Sequence, residues 1–365
     1  MSANPTTPLA VGVPQPPTQL FDVALLDLDG VVYVGPAAVP GVPEALAAAR
    51  RNGMRLGFVT NNAARTPQEV AAHLTDLGVP ADPDDVITSS QTAATVVAAR
   101  MGEGARVLPV GGPGVATALR AAGLTVVERA EDGPTAVVQG YGLGVGWAQL
   151  AEAVVAVRGG ARHVATNLDA TIPSPRGVLP GNGALVGVVS AVTGQQPLVT
   201  GKPDPAMHAE CVRRTGAQRP LVVGDRLDTD IEGARRAGAA SLLVLSGVTD
   251  PAGLLAAGPE RRPDLLARDA IGLLTTHPAV NAVDGGWRCG RWLAGVDPED
   301  RLTLAAAGAP EDGTGDEATG DDLDGLRALA VAHWTRTGNE GRPATVFPAD
   351  DQAVRALAEW GLAGG

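Results

Sequence analysis

The chain has 365 residues, with 28 Lys plus Arg against 40 Asp plus Glu and a formal net charge of −12. Hydrophobic residues at 45% and charged residues at 19% are the balance of a folded globular chain and exclude a disordered one. The acidic charge argues against a nucleic-acid partner, and without an 18-residue apolar run free of breakers no membrane span is expected.

Met1 to Leu20 lacks the basic start and apolar run of a signal peptide. Residues 1–18, rich in Pro and small residues, predict a disordered arm. Short apolar runs then alternate with helical patterns. Strands are expected at Val23–Leu26, Leu56–Thr60, Val107–Val110, Thr135–Gln139, His163–Thr166, Pro197–Thr200, Leu221–Gly224 and Ser241–Leu245. Helices are expected between them, among them Pro43–Asn52, Gln149–Val157, Pro205–Arg214 and Thr229–Ala237. Thr66–Leu77 carries a full set of end signals: Thr66 as N-cap, Pro67 at the first position, Glu69 closing a capping box and Gly78 as the stop. This alternation implies an α/β fold with parallel sheets covered on both faces. Beyond about residue 275 the pattern changes. Four of the five Trp lie there, an acidic Gly-rich loop spans 308–323, and Asp324–Thr335 and Asp350–Trp360 read as amphipathic helices of a small α+β extension.

In parallel sheets, ligands sit at the carboxyl ends of the strands. Four such ends carry polar groups. Asp27-Leu28-Asp29-Gly30 fits either an Asx turn or a nucleophilic carboxylate beside an acid/base, with a hard metal between them. Thr60-Asn61-Asn62 offers a hydroxyl and amides for phosphoryl oxygens, or a turn. Thr200-Gly201-Lys202-Pro203 holds the one lysine among the 28 basic residues. It is no Walker loop, because Gln196 stands where the first Gly belongs and Pro203 replaces Ser/Thr. In so arginine-rich a chain, a retained lysine points to a compact ammonium that a guanidinium cannot replace. Asp225, Asp228 and Asp230 follow a Gly-led turn and suggest an oxygen-ligand magnesium site, although one Asp there serves a helix start anyway.

These four segments, in this order, resemble the four motifs of the haloacid dehalogenase-like hydrolase superfamily. The likeness is nearest to the 4-nitrophenylphosphatase/NagD-type subclass with a large α/β cap. Thr166-Asn167-Leu168-Asp169 and Pro180-Gly181-Asn182-Gly183 look like that subclass's cap signatures. The arginine-rich style, Ile172-Pro173-Ser174 and the C-terminal extension look like actinobacterial D-glycerol-3-phosphate phosphatases. The resemblance implies a Rossmann-like doubly wound core over 19–92 and 196–275, a cap over 93–195 and the extension over 276–365. It implies a cytoplasmic, Mg²⁺-dependent phosphomonoesterase acting on a small phosphorylated metabolite, with glycerol 3-phosphate as the favoured substrate.

It also implies roles. Asp27 is the nucleophile, Asp29 the acid/base, and Lys202 the charge-neutralising cation. Thr60, Asn61 and Asn62 hold phosphoryl oxygens. Asp27, the Asp29 carbonyl, Asp225 and Asp230 hold or support the metal. Asn167, Asp169, Arg176 and Asn182 are the candidate cap contacts, with a polar loop position as the other reading of each. The sequence departs from the family at Gln139-Gly140-Tyr141-Gly142, where many members carry an Asp after the Gly-aromatic pair. A nucleotide or phosphoglycolate phosphatase stays open, as does a regulatory or assembly protein whose extension binds a partner or forms a homodimer. His73, His163, His208, His277 and His333 have no metal-ligand spacing, and His208 is expected at a cap or on the surface. Cys211 and Cys289 read as free thiols, too few for a disulfide framework or a four-ligand zinc site.

Overall fold

The computed structural model describes residues 7–172, 176–307 and 322–362. Residues 1–6 of the expected arm, Pro173 and Ser174, and 308–321 of the acidic loop lie outside the described residues. The chain divides into two compact units, Met1–Leu56 with Ala217–Gly365, and Gly57–Gly216.

In the first unit, four parallel strands lie in the order Leu265–Ala267, Ala240–Val244, Pro220–Gly224, Val23–Leu26. Val23–Leu26 is buried along its whole length, as a strand covered on both faces must be. Helix Val42–Arg51 is the element expected near Pro43–Asn52. The helix expected at Thr229–Ala237 opens instead as a wide π turn over Leu227–Ile231 and continues as Glu232–Arg236. Such turns are frequent at functional sites because they re-aim side chains.

The extension folds as a five-stranded sheet, Asn281–Val283, Gly286–Cys289, Trp292–Val296, Leu302–Ala306 and Val346–Pro348, antiparallel except for its last pair. Helix Asp324–Thr337 departs from the amphipathic expectation, since every residue from Asp324 to Trp334 is buried. The reason is that it packs on this sheet and also joins Leu254, Leu255 and Leu266 in one apolar cluster. Inside it, Arg327 pairs with Asp324 at 3.0 Å and donates to the Leu266 carbonyl at 2.6 Å. Helix Asp351–Glu359 follows, capped by Asp350. Residues 7–18 are not a disordered arm. Leu9 is buried in that same cluster, and Val13 exchanges backbone hydrogen bonds with His277 at 2.7 and 3.0 Å.

The second unit contains a five-stranded parallel sheet in the order Leu198–Val199, Arg162–Ala165, Ala136–Gln139, Arg106–Val110, Thr125–Val126. It also contains the paired ends of strands Arg55–Thr60 and Val86–Thr88. The capping box of helix Pro67–Asp76 forms as expected, with Glu69 accepting from the Thr66 N–H at 2.7 Å. The strand after residue 196 differs from its expected place in the core, because Leu198–Val199 pairs with Val164 and Ala165 of the insert's sheet. Helix Ser89–Met101 packs against both Pro113–Ala121 and Pro205–Thr215, which ties the insert to the segment around Lys202.

Candidate active site

In the first unit, Asp27, Asp225 and Asp230 each bring a carboxylate oxygen to within 4.8 Å of the others. The strands Val23–Leu26 and Pro220–Gly224 are parallel neighbours, so their carboxyl ends deliver Asp27 and Asp225 side by side. Backbone donors then fix the acids. Val248 N–H donates to Asp225 Oδ2 at 2.7 Å, and Arg226 N–H donates to Asp230 Oδ2 at 3.2 Å. Gly30 turns the chain after the first strand at φ +84°, and a Cβ there would strike the Asp225 carboxylate. Asp225 and Asp230 are both 1% exposed. Three carboxylates at this spacing repel one another, and an all-oxygen donor set suits a hard divalent cation such as Mg²⁺.

Asp228 does not join them. Its carboxylate accepts from Arg226 at 3.1 and 2.9 Å, so of the three acids in that turn two face the cluster. The Asp29 side chain is exposed and also outside the cluster.

In the second unit, Asn61 is the hub. Its Oδ1 accepts from the Lys202 N–H at 2.9 Å, and its Nδ2 donates to the Lys202 carbonyl at 3.2 Å and to Asp169 Oδ2 at 3.3 Å. The amide clamps the backbone of the lysine from both sides. Gly201 permits this, since a Cβ there would meet Asn61 Oδ1 at 2.7 Å. Asn167 Nδ2 and Ser89 Oγ both donate to the Asn61 carbonyl at 2.7 Å. Behind them, Asn182 Nδ2 donates to the Asn167 carbonyl at 2.8 Å and to the Gln139 carbonyl at 3.4 Å, and Gln139 Oε1 pairs with His163 Nε2 at 3.0 Å.

The residues singled out in the sequence therefore separate by job. Asn61, Asn167 and Asn182 turn their Nδ2 groups to backbone carbonyls, Asn61 reaching the Asp169 carboxylate as well. Asn62 is exposed and its Oδ1 accepts from the Ala64 N–H at 2.9 Å, an Asx turn. Thr60 Oγ1 accepts from the Asn62 N–H at 3.0 Å. Asp169 is half-buried beside Asn61, and Arg176 is exposed between the strands Thr171–Ile172 and Leu179–Pro180. His208 corrects the expected cap or surface placement. It is 6% exposed, and burial with the nearby Lys202 charge pushes its pKa down to about 4. Cys211, two turns along from Pro205, is driven up to about 12 by burial, so it is an inert thiol.

Sequence reasoning missed Ser89, Gln139 with His163, and the Ser246–Val248 loop. The loop had a signal. It is a fifth strand end, after Ala240–Val244, and Ser246 Oγ donates to the Gly30 carbonyl at 2.6 Å.

A model described as haloacid dehalogenase-like hydrolase matches residues 24–125, and a second, HAD-hydrolase-like, matches residues 199–272. A D-glycerol 3-phosphate phosphatase of Mycobacterium tuberculosis (strain ATCC 25618 / H37Rv) is 42% identical over 347 residues, which is 94% of this chain and 95% of that protein. The chain belongs to the haloacid dehalogenase-like hydrolase family. Among solved structures of the family, a glycerol phosphate phosphatase from M. tuberculosis in complex with calcium matches with a TM-score of 0.86 at 40% identity, covering 96% of this chain and 100% of that one. A 4-nitrophenylphosphatase from Thermotoga maritima matches with a TM-score of 0.66 at 31% identity, covering 71% of this chain and 98% of that one. The family's Rossmann-like core with an inserted α/β cap is therefore the fold of this chain. A GCN5-related N-acetyltransferase like domain matches residues 289–362, a likeness of the extension that the sequence reading did not find.

Proposed function

We propose that this chain is a Mg²⁺-dependent phosphomonoesterase that hydrolyses glycerol 3-phosphate through an aspartyl-phosphate. The observation that carries the reading is the convergence of Asp27, Asp225 and Asp230 at strand ends in a member of this hydrolase family. The substrate rests on the D-glycerol 3-phosphate phosphatase that is 42% identical across 94% of the chain. A relative solved in complex with magnesium supports the metal.

Asp27 is the nucleophile. Its carboxylate forms a bond to phosphorus as the bond from phosphorus to the glycerol oxygen breaks, and Asp29 gives that oxygen a proton. Asp29 then takes a proton from the water that attacks the aspartyl-phosphate, which releases inorganic phosphate and restores Asp27. The exposure of Asp29 suits a group that must meet both the departing alcohol and the incoming water. Asp27, Asp225, Asp230 and the Asp29 carbonyl are the proposed metal ligands. When bound, Mg²⁺ offsets charge on the phosphoryl oxygens.

Lys202 supplies a fixed positive charge, held by the Asn61 clamp on its backbone. Thr60, Asn61 and Asn62 are assigned to the phosphoryl oxygens, Asn61 through its backbone because its amide is committed elsewhere. Phosphoryl transfer needs this kind of positioning more than covalent help. The insert expected over 93–195 is read as the part that selects the leaving group, with Asp169 and Arg176 as contacts and Asn167 and Asn182 as their supports. A cytoplasmic setting is retained. Cys211 and Cys289 are both free and buried, and no helix among the described residues is long and apolar enough to cross a membrane.

The test is phosphate release with Mg²⁺ from glycerol 3-phosphate, phosphoglycolate, sugar phosphates and nucleoside monophosphates. The expected result is the highest kcat/KM on glycerol 3-phosphate. Another ester preferred by tenfold or so would replace the substrate and leave the chemistry standing. No release from any of them would remove the phosphatase reading.

A further inference from the structure

A cleft of about 630 Å³ lies within the first unit, away from the carboxylate cluster. Its walls come from the N-terminal stretch (Leu9, Val11), from Phe21 and Leu265, and from Trp334 on the extension's helix. The size and the mostly apolar lining are those of a site for a small organic molecule. Two arginines, Arg235 and Arg262, stand in this lining.

Arg262 is the unusual one. It is 6% exposed, yet its Nη2 is buried with no hydrogen-bond partner among the described residues. Its Nε donates to the Ala257 carbonyl at 3.1 Å, and its guanidinium carbon lies 5.3 Å from the Trp334 ring centroid. Arg235, exposed, donates to the Arg262 carbonyl at 3.2 Å. Among the described residues neither arginine is ion-paired. The nearby acids are committed. Glu232 takes Arg236 and Arg261, and Asp264 accepts from the Ser241 N–H and hydroxyl, both at 2.9 Å. Burial first, and then the Arg235 charge, pull the Arg262 pKa below the arginine range, so each cation raises the cost of the other. A buried cationic donor left unpaired is expensive, and in a chain of net −12 it is not excused by a shortage of carboxylates. An anion arriving from solution would relieve both terms, and the apolar walls would cover a hydrocarbon body attached to it.

We infer that this cleft is a second ligand site, which takes a small amphiphilic anion with its carboxylate or phosphate head on Arg262 and Arg235 and its apolar body against Leu9, Val11 and Phe21. The site is independent of the Asp27 cluster, so it stands or falls separately from the proposed hydrolysis.

The probe is octanoate, titrated calorimetrically into the full chain with Mg²⁺ present, with 1-octanol as the uncharged control. Binding at one site is expected, weakened at least tenfold in Arg262→Gln and in Val11→Trp, which fills the cleft from a position 67% exposed. Octanol is expected to bind at least tenfold more weakly than octanoate. If Arg262→Gln fails to fold, Arg235→Gln replaces it, with the same direction expected. Absence of octanoate binding overturns the inference. So does binding that the arginine variant and Val11→Trp leave unchanged, or octanol binding as tightly as octanoate.

Discussion

The two polar clusters are built on opposite principles. The cluster in the first unit gathers like charges. Three carboxylates are pressed to within 4.8 Å, and two of them, Asp225 and Asp230, are pinned by backbone N–H groups from Val248 and Arg226. Its all-oxygen donor set is of the kind that a hard divalent cation accepts. The cluster in the second unit is the reverse. Asn61, Asn167, Asn182, Ser89 and the Lys202 backbone are joined by neutral hydrogen bonds, and one carboxylate, that of Asp169, touches the group through Asn61. What it provides is a clamped backbone at Lys202. The lesson is that like charges are gathered at one set of strand ends, where the proposed chemistry lies, while the amides of the other cluster are spent on position.

The largest expected effect comes from removing the charge proposed as the nucleophile. Asp27→Asn should lower kcat by at least about 10⁴, with a normal melt, in a phosphate-release assay. Lys202→Arg keeps the charge and changes its shape. It should cost on the order of 10²-fold to 10³-fold in kcat while the circular dichroism spectrum stays unchanged. Near-wild-type turnover in that variant would make the lone lysine a coincidence. Asn61→Ala tests position, because the lysine stays but loses its clamp, and Asp169 loses one donor. About a 100-fold drop is expected, carried by kcat more than by KM, as a misplacement near 1 Å would produce.

Smaller effects sharpen the contrast further. His163 and His208 are both pushed down to about 4, first by burial. Each is neutral in the fold, while the unfolded chain takes up a proton below about 6.5. Their stabilisation is therefore complete above pH 6.5 and is lost as pH falls from there toward 4, by up to about 1.4 kcal/mol per pH unit for each. His208→Asn should flatten that acid limb of the melting midpoint by roughly half. Asp228→Asn should change turnover less than about threefold, because its carboxylate serves Arg226 and not the cluster. A large loss there would break the separation of Asp228 from its two neighbours.

Much of this was legible before any coordinates. Buried strands such as Val23–Leu26 are short unbroken apolar runs, and the capping box at Thr66 announces its own helix. The acids stood out because they follow strands. What stayed hidden were partners set by tertiary contact. Asn61 gives no sign in sequence that its amide grips residue 202, since the two are 141 positions apart. The arm near Leu9 looked disordered because Pro and small residues dominate it, and only the cluster it joins explains its order. Helix Asp324–Thr337 carries Arg327 and His333, so its pattern reads as partly solvated. Both polar groups are buried against carbonyls, of Leu266 and Arg342, that sequence could not supply.

The most direct test of the central claim is to trap the intermediate. The Asp29→Asn chain, mixed with 4-nitrophenyl phosphate, whose phenolate leaves without a proton, and Mg²⁺ and quenched in acid, should carry one phosphoryl group on the peptide that contains Asp27. The label should vanish when the metal is chelated and in Asp27→Asn. A wild-type enzyme that turns over normally while this peptide stays unlabelled, or a label on any other residue, would contradict the account.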